Sequence, residues 1–113
     1  MIIGVGVDAV NIVRFKYYSN VIPNFLSRLF SPRELRLNQL QLAGNFAASE
    51  AFFKACPTDY LDLVSTIEFL RGNDGKPKIE ICDFDGMPVS NLSVHISLTN
   101  LETLVIAMIV VES

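Results

Sequence analysis

The sequence has few of the residues from which metal sites and disulfide frameworks are built. It contains two cysteines, Cys56 and Cys82, and one histidine among 113 residues. Two cysteines are too few for a disulfide framework, and with a single histidine they make a poor set of zinc ligands. We therefore expect both cysteines to be small buried thiols in a reducing cytoplasm.

Basic charge and long hydrophobic runs are also scarce. The nine Lys and Arg residues form no long run, and the net charge of −3 argues against a nucleic-acid-binding protein. The apolar start, Met1 to Val7, has no basic leader and soon meets Asp8, unlike a secretory signal. The apolar run from Leu104 to Val111 is far too short to span a bilayer. These features predict a cytoplasmic protein that has neither nucleic acid nor membrane as a partner.

What the chain does have is a large share of hydrophobic residues, 50% of the total. Its length suits one compact domain over residues 1–113, and it shows no repeat, low-complexity tract or linker. A domain of this size buries only about 60–68% of the surface that its unfolded chain exposes. The apolar excess therefore predicts association into an oligomer.

The first half of the chain predicts a strand followed by helices. Met1 to Val7 is β-branched and nearly continuous, which is typical of a buried strand. Asp8 can cap a helix that begins near Ala9. Ser31 and Glu34 form a capping box with proline at the first helical position, and this predicts a helix from there to about Ala55. Such a helix would be roughly 35 Å long.

The second half predicts strands. Ile67 to Arg71 and Lys78 to Cys82 flank a turn-rich hairpin connection, Gly72 to Pro77. Val94 to Leu98 and Leu104 to Val111 form a second pair of strands. The whole order predicts an α+β fold with an N-terminal strand and helices, in which a long central helix packs on an antiparallel sheet.

Five segments of the chain, in this order, resemble the motifs of one enzyme family. They are GVGVDAVNIVR (4–14), FLSRLFSPREL (25–35), LAGNFAASEAFFKA (42–55), NDGKP (73–77) and HISLTN (95–100). Together they span nearly the whole chain, and they resemble the holo-acyl-carrier-protein synthases, trimeric enzymes of the 4′-phosphopantetheinyl transferase superfamily. These enzymes move the phosphopantetheine arm of coenzyme A onto a serine of an acyl carrier protein in fatty acid biosynthesis, leaving adenosine 3′,5′-bisphosphate.

The resemblance implies a role for particular residues. Asp8 and Glu50 would hold magnesium, which prefers one or two carboxylates together with phosphate oxygens and waters. Lys54 would meet a phosphate, so that Asp8, Glu50 and Lys54 form the catalytic set. The remaining positions implied to contact coenzyme A are Asn45, Ser49, Lys76, Pro77, His95 and Ser97. Arg14, Phe25 and Arg28 would contact the acidic carrier protein.

Spacing alone also allows simpler interpretations. Glu50 and Lys54 are separated by four residues, which is the favourable orientation of an ordinary ion pair on a helix surface. Asp8 could be only an N-cap, and His95 could be a structural histidine of an alternating strand.

The chain departs from the family pattern at three polar positions. Asn45 replaces an arginine, Ser49 a lysine, and Asn100 a histidine. Neutral side chains can hydrogen-bond a phosphate, but a charged partner contributes roughly twice as much per bond. Two interpretations follow: a working transferase with a divergent cofactor pocket, or a non-catalytic trimeric relative that keeps the fold and a carrier-binding face.

Overall fold

The computed structural model describes all residues from Met1 to Ser113. Five strands and four α-helices confirm the predicted α+β class. They are β1 (Ile2–Asn11), α1 (Ile12–Val21), α2 (Phe25–Leu29), α3 (Gln39–Ala55), α4 (Thr58–Leu61), β2 (Thr66–Arg71), β3 (Pro77–Cys82), β4 (Ser93–Leu101) and β5 (Leu104–Glu112). A 3₁₀ turn, Glu34–Arg36, lies between α2 and α3.

The strands form two antiparallel sheets. The main sheet has the order β1-β5-β4, and β2 and β3 form a separate hairpin. Side chains alternate across the main sheet, and one face packs against α3. The core on that face includes Ala107, Ile109 and Val111 of β5 and Ala47, Ala51 and Phe52 of α3, all fully buried.

Two glycines allow β1 to approach α3 closely. A Cβ atom on Gly4 would lie 1.5 Å from the carbonyl oxygen of Ala55, and one on Gly6 would lie 1.9 Å from that of Ala51. Only a residue without a side chain fits at this separation. The approach places the next inward-facing residue of β1, Asp8, beneath the C-terminal turn of α3.

The predicted start of the first helix was wrong. β1 continues through Asp8 to Asn11, because its backbone pairs with β5 as far as Leu104. The helix begins at Ile12, and Asn11 is its cap: the Asn11 Oδ1 accepts a hydrogen bond from the Arg14 N–H at 3.0 Å. Asp8 is therefore a residue within a strand and not an N-cap.

The predicted single long helix was also wrong. The Ser31 and Glu34 side chains each accept a hydrogen bond from the other residue's backbone N–H, as in a capping box. However, only a 3₁₀ turn follows, and the chain is extended at Leu37. A second capping box, Asn38 with Gln41, then starts α3. The helix of 17 residues that results is about 26 Å long.

The predicted second half is confirmed. All four strands are present, and the connection between β3 and β4 contains no helix. Cys56 is buried, Cys82 is half-buried, and both are free thiols; burial raises the pKa of the Cys56 thiol. None of the helices is long and apolar enough to cross a membrane.

Candidate functional site

Asp8 and Lys54 meet where β1 passes beneath the end of α3. The Lys54 Nζ donates to Asp8 Oδ1 and to the carbonyl oxygen of Val7, each at 3.0 Å. The Asp8 side chain is 19% exposed and that of Lys54 is 56% exposed. Lys54 thus pairs with a residue 46 positions away in sequence and not with Glu50, so the ordinary helix-surface ion pair is not what forms.

Glu50 lies on α3 one turn before Lys54. It is exposed and forms no ion pair within the chain. No group of three or more His, Cys, Asp or Glu side chains comes together anywhere in the chain. A magnesium ion is nevertheless usually held by only one or two carboxylates, with phosphate oxygens and waters completing its shell. Because Lys54 engages only Oδ1 of Asp8, Oδ2 keeps its capacity to bind a cation, and the carboxylate chemistry of Asp8 and Glu50 is of the kind that magnesium prefers.

The structure corrects the predicted role of Asn45. Its side chain is fully buried and is used within the chain. The Asn45 Nδ2 donates to Glu34 Oε2 at 3.0 Å and to the Phe69 carbonyl oxygen at 2.7 Å, and its Oδ1 accepts from Arg71 Nη1 at 3.0 Å. A phosphate cannot reach an amide enclosed in this way. Ser49, in contrast, is only half-buried and directly precedes Glu50.

The other predicted cofactor residues lie on different surfaces. Lys76 is exposed, and Pro77 begins β3 in the hairpin. His95 and Ser97 are exposed on β4, on the face of the main sheet that α3 does not cover. The His95 Nε2 is joined by a hydrogen bond of 2.6 Å to Glu112 Oε1 of β5. One chain alone therefore does not bring these four residues onto the surface that carries Asp8.

The predicted carrier-binding residues lie on the N-terminal helices, Arg14 on α1 and both Phe25 and Arg28 on α2. Arg14 and Phe25 line an apolar cavity of about 410 Å³ that reaches Ala9, the neighbour of Asp8. Phe25 packs against Phe15, with the ring centroids 5.7 Å apart. Arg28 is exposed in the last turn of α2. The cavity thus reaches Val10, which lies two residues after Asp8 on the same face of β1.

Sequence reasoning missed the polar cluster behind α3. Glu34 is buried, with 4% exposure, and its Oε2 accepts from the backbone N–H of Phe69 as well as from Asn45. Arg71 reaches the same cluster from the end of β2. For Arg71, the only signal in the sequence was a charged residue at the end of an apolar strand. Glu34 fits a capping box, and that local role gave no indication that its side chain also bonds to Asn45 and Phe69.

Known proteins resemble this chain over nearly its whole length. A family model for the 4′-phosphopantetheinyl transferase superfamily matches residues 4–109. The holo-[acyl-carrier-protein] synthase of Clostridium perfringens strain 13 is 36% identical over 126 residues, which cover 99% of this chain and 95% of that protein.

Solved structures show the same fold. The acyl carrier protein synthase of Mycobacterium tuberculosis has a TM-score of 0.74 and 26% identity, covering 100% of this chain and 99% of that one. The Helicobacter pylori holo-[acyl-carrier-protein] synthase in complex with coenzyme A has a TM-score of 0.64 and 25% identity, covering 96% and 99%. The chain therefore belongs to the 4′-phosphopantetheinyl transferase superfamily, within its holo-acyl-carrier-protein synthase family of enzymes.

Proposed function

We propose that this enzyme transfers the 4′-phosphopantetheine arm of coenzyme A to a serine of an acyl carrier protein. The products are the holo-carrier protein and adenosine 3′,5′-bisphosphate, and the carrier serves fatty acid biosynthesis in the cytoplasm. The observation that carries the proposal is the contact between Lys54 and Asp8, with Glu50 one helical turn away. The names of the relatives and the coenzyme A bound to the Helicobacter pylori protein support the same reaction.

Asp8, Glu50 and Lys54 would have different roles in the transfer. Asp8 and Glu50 would hold a magnesium ion. When bound, this ion neutralises charge on the phosphate oxygens of coenzyme A. Lys54 is already fixed by Asp8 and Val7, and its ammonium group keeps a third N–H to donate to a phosphate oxygen. Glu50 faces solvent, so a water that it orients can accept the proton of the carrier serine.

The carrier protein would dock beside the first two helices. Acyl carrier proteins are strongly acidic, so Arg14 and Arg28 supply the opposite charge. The cavity next to Phe25 offers an apolar contact between those charges. Because this cavity reaches Val10, two residues from Asp8 on the same face of β1, a carrier bound there would present its serine close to Asp8.

We also propose that the enzyme is a homotrimer whose sites lie at subunit junctions. The open face of the main sheet carries Val5, Val7 and Met108, which are 56%, 51% and 44% exposed in a single chain. Exposed apolar surface on a sheet is typical of an interface between proteins. His95 and Ser97 lie on this same face, so a second copy packed here would bring them to a junction. They could then contribute to coenzyme A binding.

Incubation with apo-carrier protein, coenzyme A and magnesium tests the proposal directly. Intact-mass spectrometry should show a carrier heavier by one phosphopantetheine arm, and chelation of the metal should abolish the change. A carrier that binds to the enzyme but stays unmodified would favour the non-catalytic relative instead.

A further inference from the structure

Arg71 holds a cationic group at a fixed position between β2 and α3. Its Nη1 donates to Asn45 Oδ1 at 3.0 Å and to the Leu70 carbonyl oxygen at 3.1 Å. Its Nη2 donates to the Gln41 carbonyl oxygen at 3.4 Å. The side chain is half-buried, and burial lowers the pKa of its guanidinium. These contacts orient the guanidinium group, which is also partly removed from water.

No carboxylate compensates that desolvation by direct contact. The ion pairs of the chain involve Arg33, Lys54 and His95, and none involves Arg71. The carboxylate that acts on its charge belongs to Glu34, on the far side of the Asn45 amide. A partly buried arginine that lacks an ion pair favours an anion as its missing partner.

Two N–H donors of the Arg71 guanidinium are not used within the chain. Arg71 has five N–H donors, and three of them are used in the bonds above. The Nε–H and one Nη2 hydrogen have no acceptor in the chain. Every buried polar side-chain atom has a hydrogen-bond partner, so the unpaired Nε must reach solvent. Nε and Nη2 together form the fork that binds carboxylate and phosphate through two parallel bonds.

In Arg33, the same edge of the guanidinium, formed by Nε and Nη2, is bonded to a carboxylate. There, Nε and Nη2 donate to the two carboxylate oxygens of Glu68 at 3.2 Å and 2.5 Å. Arg33 also contacts β3 through Glu80. The two arginines therefore differ at this edge: both nitrogens of Arg33 are bonded to a carboxylate, whereas in Arg71 Nε is unpaired and Nη2 has one hydrogen still to donate.

We propose that the Nε and Nη2 edge of Arg71 binds a phosphate group of coenzyme A, an inference that rests on the proposed function. Arg71 is the register partner of Pro77, and the carbonyl oxygen of Lys76 accepts a bond of 2.9 Å from Gly72. Arg71 thus stands at the end of the hairpin where the resemblance places two coenzyme A contacts. It supplies a positive charge beside Asn45, which is itself neutral and buried.

Titration calorimetry with coenzyme A, at low and high ionic strength, tests this assignment. Arg71→Gln should raise the Kd at least tenfold, which corresponds to about 1.4 kcal/mol, and the loss should shrink as salt rises. Arg33→Gln is the matched control and should leave the Kd unchanged. Arg71→Lys keeps the charge that acts on Glu34 but lacks the fork, so its Kd should rise by a smaller factor.

Each result distinguishes a coenzyme A contact of Arg71 from a purely structural role. If the wild type binds coenzyme A and Arg71→Gln binds it equally well, Arg71 serves only as the counter-charge of Glu34, and the proposed function still stands. If the wild type does not bind coenzyme A, the proposed function and this assignment both fail. Should Arg71→Gln not fold, Arg71→Lys decides the question, and wild-type affinity in that variant would overturn the assignment.

Discussion

Replacement of Gly6 by alanine should force β1 away from α3. The added Cβ would lie 1.9 Å from the Ala51 carbonyl oxygen and 2.9 Å from its carbonyl carbon. Both are backbone atoms, so no side-chain rotation can relieve the overlap. To reach the 3.0 Å below which real Cβ contacts essentially never fall, the two elements must separate by about 1.1 Å.

The expected cost is large for a domain of this size. Overpacking of a core typically costs about 1–3 kcal/mol, and more where backbone must move. We expect a loss of about 3 kcal/mol or more for Gly6→Ala, against a total stability of about 5–15 kcal/mol for a typical domain. The same shift would draw Asp8 away from Lys54, so transfer activity should fall as well.

Gly44→Ala is the matched control, at a buried glycine of α3 that faces β4 and β5 instead of β1. A Cβ there meets Leu98 Cδ1 at 3.5 Å, an ordinary contact. Alanine is also about 0.8–1.0 kcal/mol more favourable than glycine inside a helix, so this variant should be as stable as the wild type or more so. Urea unfolding followed by circular dichroism measures both variants. A Gly6→Ala protein within about 0.5 kcal/mol of the wild type would refute the close packing described for β1 and α3.

Four further predictions follow from individual contacts. The hydrogen bond from Arg33 holds the pKa of Glu68 below its usual range. The stabilisation from this pair is therefore present above the ordinary glutamate pKa and is lost as pH falls through the pKa of the folded state. Glu68→Gln should make the urea midpoint less sensitive to acid, and equal sensitivity would contradict this. Arg14→Glu should raise the KM for the carrier protein but not that for coenzyme A in steady-state kinetics, because its charge faces the docking surface. Met108→Asp should lower the mass measured by light scattering to that of a monomer, since it places a charge in the proposed interface. Asn45→Arg should lower the urea midpoint despite matching the family pattern, because the site is fully buried and its amide makes three hydrogen bonds.

Local sequence signals predicted the elements better than their boundaries. Asp8 and Asn11 are both good N-caps, and the choice between them depends on β5, which pairs with β1 as far as Asn11. That pairing joins segments almost 100 residues apart, so nothing near Asp8 in the sequence indicates it. The four strands of the second half were predicted well because their turn residues and alternation are local.

The division of the central helix shows the same limitation. Two capping boxes occur in succession, at Ser31 with Glu34 and at Asn38 with Gln41, and each can start a helix. Tertiary contact decides between them, because the Glu34 carboxylate also accepts the backbone N–H of Phe69, 35 residues further along. If a helix continued from Glu34, Leu37 would have to be helical, whereas in the structure it is extended and precedes α3.

The candidate site could be predicted only through the resemblance. Spacing favoured an ion pair of Lys54 with Glu50, and the structure instead pairs Lys54 with Asp8 across 46 residues. The close approach that makes this contact depends on Gly4 and Gly6, whose role becomes clear only when α3 is placed over β1. The role of Arg71 depends in the same way on contacts with α3, which no local pattern reveals.

The release of adenosine 3′,5′-bisphosphate, measured with apo-carrier protein, coenzyme A and magnesium, tests the central claim about Asp8 and Glu50 most directly. Asp8→Asn and Glu50→Gln keep the size of each side chain and remove its charge, so both should lower the rate at least a hundredfold, about 2.7 kcal/mol of transition-state stabilisation. Asp85→Asn, at an exposed turn residue far along the chain, should keep the wild-type rate. Wild-type rates in either Asp8→Asn or Glu50→Gln, in a protein that remains folded, would contradict the assignment of that carboxylate to the site.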